Sequence, residues 1–241
     1  MNNEQGEDML LSPRLKAIAD LVPPSRTIAD IGTDHGHIPL YLIRQGRAEY
    51  AIAADISPGS LDKAVQLIQQ YNMGHCMEAR LGSGLSVIAP GEADTIIIAG
   101  MGGILIREIL EEGEEAARSA HILILQPMIG QEELRRWLLN NGYSIVDEEL
   151  AAEGDRIYEI IAAKPDKEAR GYENEIYYDI GWKLVEKKHP LLKEWIQKKI
   201  RSLSEIVRNL GNAKTQSASE RKHELMEKIR MYKEVYDSCF R

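Results

Sequence analysis

The sequence is poor in cysteine and phenylalanine and has no long apolar run. Its two cysteines, Cys76 and Cys239, are far apart and neither belongs to a C-x-x-C pair, which argues against a disulfide framework and a structural zinc site. No stretch of about 18 apolar residues is present, so we expect no membrane-spanning helix. The first ten residues lack the basic start and apolar centre of a signal peptide. These absences predict a cytoplasmic protein with no metal and no membrane partner.

Charge is unevenly divided along the chain. The formal net charge of −8 over 241 residues argues, taken alone, against a nucleic-acid partner. Residues 1–166 carry 13 basic and 26 acidic side chains, whereas residues 167–241 carry 17 basic and 12 acidic ones. Many of the basic residues crowd into positions 183–201. We therefore predict two domains, 1–166 and 167–241, with a polyanion bound by the second; a solvated helix face is the alternative.

The most informative motif lies at residues 27–36, which read TIADIGTDHG. An apolar run ends in Asp30, a glycine-rich turn follows, and a helical pattern begins at residue 38, as at the opening of a nucleotide-binding α/β sheet. The dinucleotide fingerprint would place glycine where Asp34 stands. Two acids around one turn disfavour phosphates and favour the cation S-adenosylmethionine (SAM). An NAD site and a purely structural turn are the alternatives.

Three further predicted strands, at residues 50–56, 77–81 and 94–99, bring more loops to the same edge of the sheet. Asp55 ends the second strand, where an acid holds ribose hydroxyls; Ser57 is the better cap for the next helix, which leaves Asp55 free. The glycine-rich residues 100–103 let backbone approach a ligand closely. The candidate cofactor-binding residues are Asp30, Gly32, Thr33, Asp34, His35, Gly36, Asp55, Ile56, Ser83, Gly84, Gly100 and Met101.

The sheet is predicted to end with two antiparallel strands. A fifth strand at residues 121–126 and a helix at 132–140 are followed by strands at 143–149 and 156–163. An antiparallel pair at this position is typical of a methyltransferase sheet, whereas an NAD-binding fold would continue with parallel strands. The order of elements is thus a second indication of SAM.

The C-terminal part reads as helical. Residues 172–186 form one predicted helix, and apolar residues then recur in steps of three and four from 192 to 210 and again from 225 to 236. A polar turn at 211–219 separates the two stripes. This pattern predicts an antiparallel α-helical hairpin of the coiled-coil type.

Several segments together resemble the bacterial tRNA adenine-22 N1-methyltransferase family. They are SPRL at 12–15, ADIGTDHGHIP at 29–39, IIIAGMGG at 96–103, LILQP at 123–127 and the final helical hairpin. The resemblance covers nearly the whole chain and implies a class I, Rossmann-like, SAM-dependent methyltransferase with a basic helical appendage. It also implies methyl transfer from SAM to N1 of an adenine in the D-arm region of tRNA. Where the family usually has Gly-Asp-Gly and an Asn after Gln-Pro, this chain has GSG at 82–84 and Met128.

The chemistry of N1 suggests a modest catalytic apparatus. The Asn/Asp-Pro-Pro-aromatic motif, which holds an exocyclic amine in N6-adenine methyltransferases, is missing from the sequence. N1 has a free in-plane lone pair, so positioning should contribute much of the acceleration. Because the methylated base is cationic, a carboxylate can stabilise it or take a proton from N6, and Asp34 is the candidate catalytic residue. The alternative role for Asp34 is a contact with the amino group of SAM, and His35 and His37 either orient ligands or only stabilise the turn.

A paired adenine must be flipped out before N1 can react. The single phenylalanine is Phe240, so Met101 is predicted to provide an apolar platform for the base, while residues 183–201 grip the tRNA backbone. The candidate substrate-binding residues are Arg14, His37, Gly102, Gly103, Gln126, Pro127, Lys187, Lys188, Lys198, Lys199 and Arg201. Other hypotheses are a SAM-dependent enzyme for another RNA site or a small molecule, and a catalytically silent RNA-binding module with a SAM pocket. A monomer is predicted.

Overall fold

A computed structural model describes residues 10–210 and 216–241 of the chain. The protein divides into two compact units, Met1–Arg170 and Gly171–Arg241. The strands of the first unit are β1 (Ser25–Ile31), β2 (Ala48–Asp55), β3 (Met77–Leu81), β4 (Thr95–Gly102), β5 (Ile122–Ile129), β6 (Tyr143–Glu153) and β7 (Arg156–Pro165). Its helices are α1 (Pro13–Leu21), α2 (His37–Arg44), α3 (Pro58–Gln70), α4 (Gly103–Glu112), α5 (Glu114–Ser119) and α6 (Gln131–Asn140).

The seven strands form one sheet in the order β3-β2-β1-β4-β5-β7-β6. Strands β1 to β5 pair in parallel, whereas β7 is antiparallel to both β5 and β6. The centre of β4 is fully buried because its β-branched residues are covered on both faces, as expected for a parallel sheet. The predicted α/β fold with an antiparallel close is confirmed.

Strand β4 is longer than predicted. It was expected to end at Ala99, but its pairing with β5 continues through Met101 and Gly102, with register shifts on either side of Met101. The shifts occur opposite Pro127, which has no N–H to donate to the ladder. The residues expected to form a glycine loop therefore form a bulged strand end.

The second unit is helical. Its helices are α7 (Ile176–Ile180), α8 (Trp182–Glu186), α9 (Leu192–Leu210) and α10 (Gln216–Phe240). The predicted single helix over 172–186 is wrong, because Gly181 adopts a positive φ of 90° and separates α7 from α8. The predicted turn over 211–219 is wrong at 216–219, which are helical, and residues 211–215 lie outside the described residues. No helix in the described ranges is both long and apolar enough to cross a membrane.

Helices α9 and α10 pack in antiparallel directions. The Trp195 and Tyr232 rings are 6.0 Å apart, and Gln197 Nε2 donates a hydrogen bond of 3.1 Å to Tyr236 Oη. The beginning of α9 thus meets the end of α10. Leu192 and Ile196 are buried, but the later members of the apolar stripe are covered only partly. The helix pair is confirmed, and a coiled-coil geometry stays a prediction.

Candidate active site

The turn after β1 is held tightly to the end of β2. The backbone N–H groups of Gly32 and Thr33 both donate to the carbonyl oxygen of Ala54, at 2.8 and 3.0 Å. Gly36 then donates its N–H to Thr33 Oγ1 at 3.0 Å. Gly32 and Gly36 have φ values of 76° and 72°, which an L side chain rarely adopts. The turn is therefore a rigid backbone surface at the carboxyl edge of the sheet.

Met101 closes over this turn from β4. A Cβ atom at Gly32 would lie 1.9 Å from Met101 Cε, so the methionine tip occupies the space that a side chain at position 32 would need. Met101 thus belongs to the wall of the predicted cofactor turn. Its expected use as a platform for the target base stays a prediction.

The carboxylates of Asp30 and Asp55 make this edge of the sheet suitable for a cation. Asp30 is buried, and burial raises its pKa to about 6, although a hydrogen bond from Thr33 acts in the opposite direction; the charge of Asp55 raises it further. A nearby positive charge would favour the ionised form of Asp30. The residues at this edge therefore fit the positively charged SAM better than a dinucleotide phosphate.

Asp34 lies at the exposed rim of the turn. Its Oδ1 is 2.8 Å from Lys63 Nζ of α3, and its Oδ2 is 3.0 Å from His35 Nε2. The hydrogen bond from Lys63 lowers the pKa of Asp34 and outweighs burial, which acts in the opposite direction; the charges of His35, Lys63 and His37 lower the pKa further. Asp34 is therefore an ionised carboxylate at neutral pH.

His37 is a half-buried member of a stacked pair. The rings of His35 and His37 are 5.1 Å apart and nearly parallel. Burial, together with the charge of His35, lowers the pKa of His37, so its imidazole is neutral at pH 7. Its Nδ1 atom is buried and finds no hydrogen-bond partner within the described part of the chain.

The ends of β2 and β3 form a second part of the edge. Asp55 is not wholly free, because its Oδ1 accepts a hydrogen bond of 2.6 Å from the backbone N–H of Ser57. Ser57 caps α3 as predicted. Leu81 pairs with Asp55 across the strands, and Leu81 and Ile56 are exposed apolar side chains beside the carboxylate. Ser83 is exposed, and Gly84 has a positive φ of 53° where a short 3-10 turn begins.

The Gln126 side chain connects the ends of β4 and β5 through buried hydrogen bonds. Its fully buried side chain accepts hydrogen bonds from Arg14 Nη1 at 2.9 Å and from the Gly100 N–H at 3.2 Å. Its Nε2 donates to the carbonyl oxygen of Pro127 at 3.0 Å. The Arg14 guanidinium also lies 5.5 Å from the Tyr158 ring centre. Gln126 therefore positions predicted site residues, and its burial does not fit a direct contact with substrate.

The glycines at 102 and 103 bring two strand ends together. A Cβ atom at Gly103 would lie 2.2 Å from the carbonyl oxygen of Gly130, so α4 can begin here only with glycine. A Cβ atom at Gly102 would lie 3.7 Å from Ile129 Cγ1. The turns after β4 and β5 are thus in backbone contact.

The predicted basic residues of the second unit have different surroundings. Lys199 is 3.4 Å from Asp179, a buried carboxylate that also pairs with Lys228 at 2.7 Å and accepts a hydrogen bond from Tyr232. Burial would raise the pKa of Asp179, but these partners outweigh it and lower the pKa. Lys199 therefore helps to neutralise Asp179, and its predicted contact with phosphate stays a prediction. Lys198 pairs with Glu194. Lys187, Lys188 and Arg201 are exposed.

Three residues of the first unit that contact or adjoin the predicted site were not predicted from the sequence. Lys63 reaches Asp34 from another helix, and Glu153 accepts a hydrogen bond from the Arg14 N–H at 3.0 Å. Ile129 is exposed at the end of β5. Only Ile129 had a sequence signal, an apolar residue just beyond the polar close of a buried strand. Within the described ranges, no group of three or more potential ligands is placed to hold a metal ion.

Comparisons with known proteins agree with this architecture. Residues 11–161 match the family model described as a methyltransferase domain. The chain is 33% identical to the tRNA (adenine(22)-N(1))-methyltransferase of Bacillus subtilis over 235 residues, which cover 95% of this chain and 98% of that protein. The fold and the edge site define a class I methyltransferase.

Two solved structures extend the likeness over both units. The crystal structure of the B. subtilis m1A22 tRNA methyltransferase TrmK has a TM-score of 0.85 at 32% identity, with 95% of this chain and 99% of that chain covered. M. capricolum TrmK, in complex with its cofactor product S-adenosyl-homocysteine, has a TM-score of 0.79 at 27% identity, with 94% and 99% covered. The chain belongs to the tRNA (adenine(22)-N(1))-methyltransferase family.

Proposed function

We propose that this protein transfers the methyl group of SAM to N1 of adenine 22 in the D-arm region of tRNA. The observation that carries the proposal is the glycine turn after β1, flanked by the interacting carboxylates Asp30 and Asp55. Family membership supports the acceptor, because the B. subtilis relative carries this activity in its name. Cytoplasmic location and a monomeric state are parts of the same proposal.

We propose that some residues of the first unit bind the cofactor and that another takes part in catalysis. Asp55 is placed to hold the ribose hydroxyls, and the exposed side chains of Ile56 and Leu81 can cover the faces of the cofactor's adenine. Asp30 and the backbone of the β1 turn favour the positively charged methionine end. When bound, SAM supplies an electrophilic methyl group on a positively charged sulfur.

Asp34 is the proposed catalytic residue, and its role is electrostatic. Attack by the N1 lone pair leaves a positive charge on the adenine, and an ionised carboxylate at the rim of the turn lowers the energy of that charge. The paired Lys63 lowers the pKa of Asp34, which makes it a weak base. The geometry therefore favours charge stabilisation over uptake of the N6 proton. A contact with the cofactor's amino group remains the second candidate role.

The direct test is nucleoside mass analysis of unmodified tRNA after incubation with SAM. We expect 1-methyladenosine with the wild-type protein, and no product when adenine 22 of the tRNA is replaced. Asp34→Ala should lose at least about 100-fold in methylation rate while SAM binding, measured by calorimetry, is retained. Asp62→Ala, which removes an exposed carboxylate on α3, is the matched control and should keep full activity.

Two outcomes would contradict the proposal in different ways. If wild-type protein binds SAM but yields no methylated nucleoside, the acceptor lies elsewhere or the pocket is catalytically silent. If Asp34→Ala loses SAM affinity and activity in the same proportion, Asp34 is a cofactor contact and not the stabilising carboxylate.

The second unit is proposed to bind tRNA. Residues 167–241 have a net charge of +5 against −13 for residues 1–166. Exposed Lys187, Lys188 and Arg201 support this role, since they can approach phosphates.

A further inference from the structure

The exposed apolar residues of the first unit gather at the carboxyl edge of its sheet. The described residues include eight large hydrophobic side chains that are strongly exposed, and five of them lie at this edge. Ile56 and Leu81 stand at the ends of β2 and β3, next to Asp55. Ile104, Leu105 and Ile129 stand at the ends of β4 and β5. Exposed apolar surface that is concentrated at one binding edge indicates ligand contact.

The two groups lie on opposite sides of the β1 turn in the strand order. The β2 and β3 ends carry the ribose-binding carboxylate, so Ile56 and Leu81 belong to the cofactor side. The β4 and β5 ends lie across the turn from that carboxylate. An acceptor base has to approach the methyl group from that other side.

Ile129 is exposed on a rigid backbone. It is 71% exposed, yet it pairs in register with Gly102 at the end of β4. Behind it, the close backbone contact of Gly103 with Gly130 and the buried amide of Gln126 hold both strand ends. Leaving a large aliphatic side chain in solvent at such a constrained position suits a contact surface rather than a core.

Ile104 extends the same surface. It directly follows Gly103 and is 57% exposed in the first turn of α4, while Ile129 directly precedes Gly130. Because Gly103 and Gly130 are in backbone contact, the two isoleucines stand on adjoining chain segments. The side-chain tip of Met101, the residue predicted to contact the base, lies next to Gly32 in the β1 turn.

We propose that Ile129 and Ile104 form the platform on which the flipped target adenine packs in the reactive complex. The proposal rests on the function proposed above and names the residues that hold its acceptor base. The faces of adenine are flat and apolar, so they gain from aliphatic contact, while the Watson–Crick edge stays open to the β1 turn. A charged or small residue in place of Ile129 would leave the base less well oriented.

The test combines a rate and a flipping signal for the full-length protein. Single-turnover methylation of unmodified tRNA at saturating SAM should fall about tenfold in Ile129→Ala, the size of one lost base contact. SAM affinity and thermal midpoint should stay at wild-type values because the side chain is largely exposed. With 2-aminopurine in place of the target adenine, the fluorescence rise on binding should also shrink, and Ile129→Leu should restore both signals.

Two matched variants separate the platform from other losses of apolar surface. Leu10→Ala removes a leucine of the first unit that is 93% exposed and lies outside the proposed site, and it should leave methylation unchanged. Ile56→Ala, on the cofactor side, should weaken SAM binding without changing the 2-aminopurine signal. Should Ile129→Ala alter folding, Ile129→Thr keeps the β-branched shape and is measured in its place.

The possible failures are distinguishable. If wild-type protein produces 1-methyladenosine and Ile129→Ala, Ile129→Thr and Ile104→Ala all react at the wild-type rate, the platform is disproved and the proposed function stands. If wild-type protein yields no 1-methyladenosine, the proposed function itself fails.

Discussion

Gly32 is constrained in two independent ways. Its φ of 76° disfavours any L side chain, and Met101 Cε occupies the position that a Cβ atom would need. Gly46 shares the first constraint, with a φ of 65°, but a Cβ atom added there would meet no other atom within 4 Å. The two glycines therefore separate backbone strain from a steric clash.

Gly32→Ala should lower the free energy of unfolding by about 2 to 4 kcal/mol, the sum of a strained φ and a displaced methionine. Gly46→Ala should lower the free energy of unfolding by only about 1 kcal/mol, because its φ is strained but no atom clashes with the added Cβ. Urea unfolding measures both, and adding Met101→Ala to Gly32→Ala should recover part of the loss. Equal costs for the two single variants would show that Met101 does not confine Gly32.

Asp30 predicts a specific dependence of stability on pH. Its carboxyl has a pKa of about 6 in the folded protein against 3.8 for an ordinary aspartate, so the folded state binds more protons between these values. Its contribution to stability is therefore greatest below about pH 4 and is lost as the pH rises through about 6.

Asp30→Asn has no carboxyl group to titrate, so it should not lose stability as the pH rises through about 6. The free energy of unfolding of the variant relative to wild type should increase by up to about 3 kcal/mol between about pH 4 and about pH 7. Urea unfolding across that range measures the difference, in which the titration of all other groups cancels. A difference that stays constant with pH would contradict the raised pKa of Asp30.

At the scale of elements, a buried charge cluster joins α6 to the last two strands. Arg135 of α6 lies 2.6 Å from Glu148 of β6 and 2.8 Å from Glu159 of β7, and all three side chains are buried. The antiparallel strands thus meet their covering helix through ions in addition to apolar contacts. Removing the central cation would leave two carboxylates in a low dielectric.

Arg135→Met should destabilise the first unit by about 3 to 5 kcal/mol. Its neighbour Arg136 is partly exposed and pairs with Glu132 one turn away, so Arg136→Met should change stability by less than about 1 kcal/mol. Thermal and urea unfolding of the two variants provide the comparison. A similar small effect of both substitutions would mean that the buried cluster is not essential to this packing.

At the scale of the whole molecule, the two units have opposite charge. The acidic first unit repels a polyanion, so the attraction to tRNA has to come from the basic second unit. Charge pairs within that unit, such as Lys199 with Asp179, leave fewer lysines for phosphates than the sequence suggests. Lys187 and Lys188, which follow α8, are exposed.

Lys187→Glu/Lys188→Glu should weaken tRNA binding by at least about tenfold and reduce its salt dependence, because phosphate contacts are lost. SAM affinity should stay unchanged. Lys222→Glu/Lys233→Glu on α10 alters the net charge by the same amount and is the control for a purely global effect. Filter binding at several salt concentrations distinguishes the two, and equal losses would argue against a local contact at 187 and 188.

Much of the fold and part of the site could be predicted from local pattern. β3 was predicted with its observed bounds, and Ser57 caps its helix as expected. The ends of β4 were missed because a strand continues as long as its neighbour offers hydrogen bonds, which β5 does beyond Ala99. Gln126 lies in the predicted region but acts through Gly100 and Arg14, which no local pattern reveals.

The sequence by itself determined the succession of the seven strands along the chain, the glycine turn after β1 and the division of charge between the two units. Each of these depends on residues close together in the chain, through periodicity, positive φ and simple counting. The tertiary structure alone decided that Lys63 pairs with Asp34, that Met101 closes over Gly32 and that Asp179 holds Lys199. These partners are remote in sequence, so no local pattern pairs them, and they meet only because the fold brings their elements together.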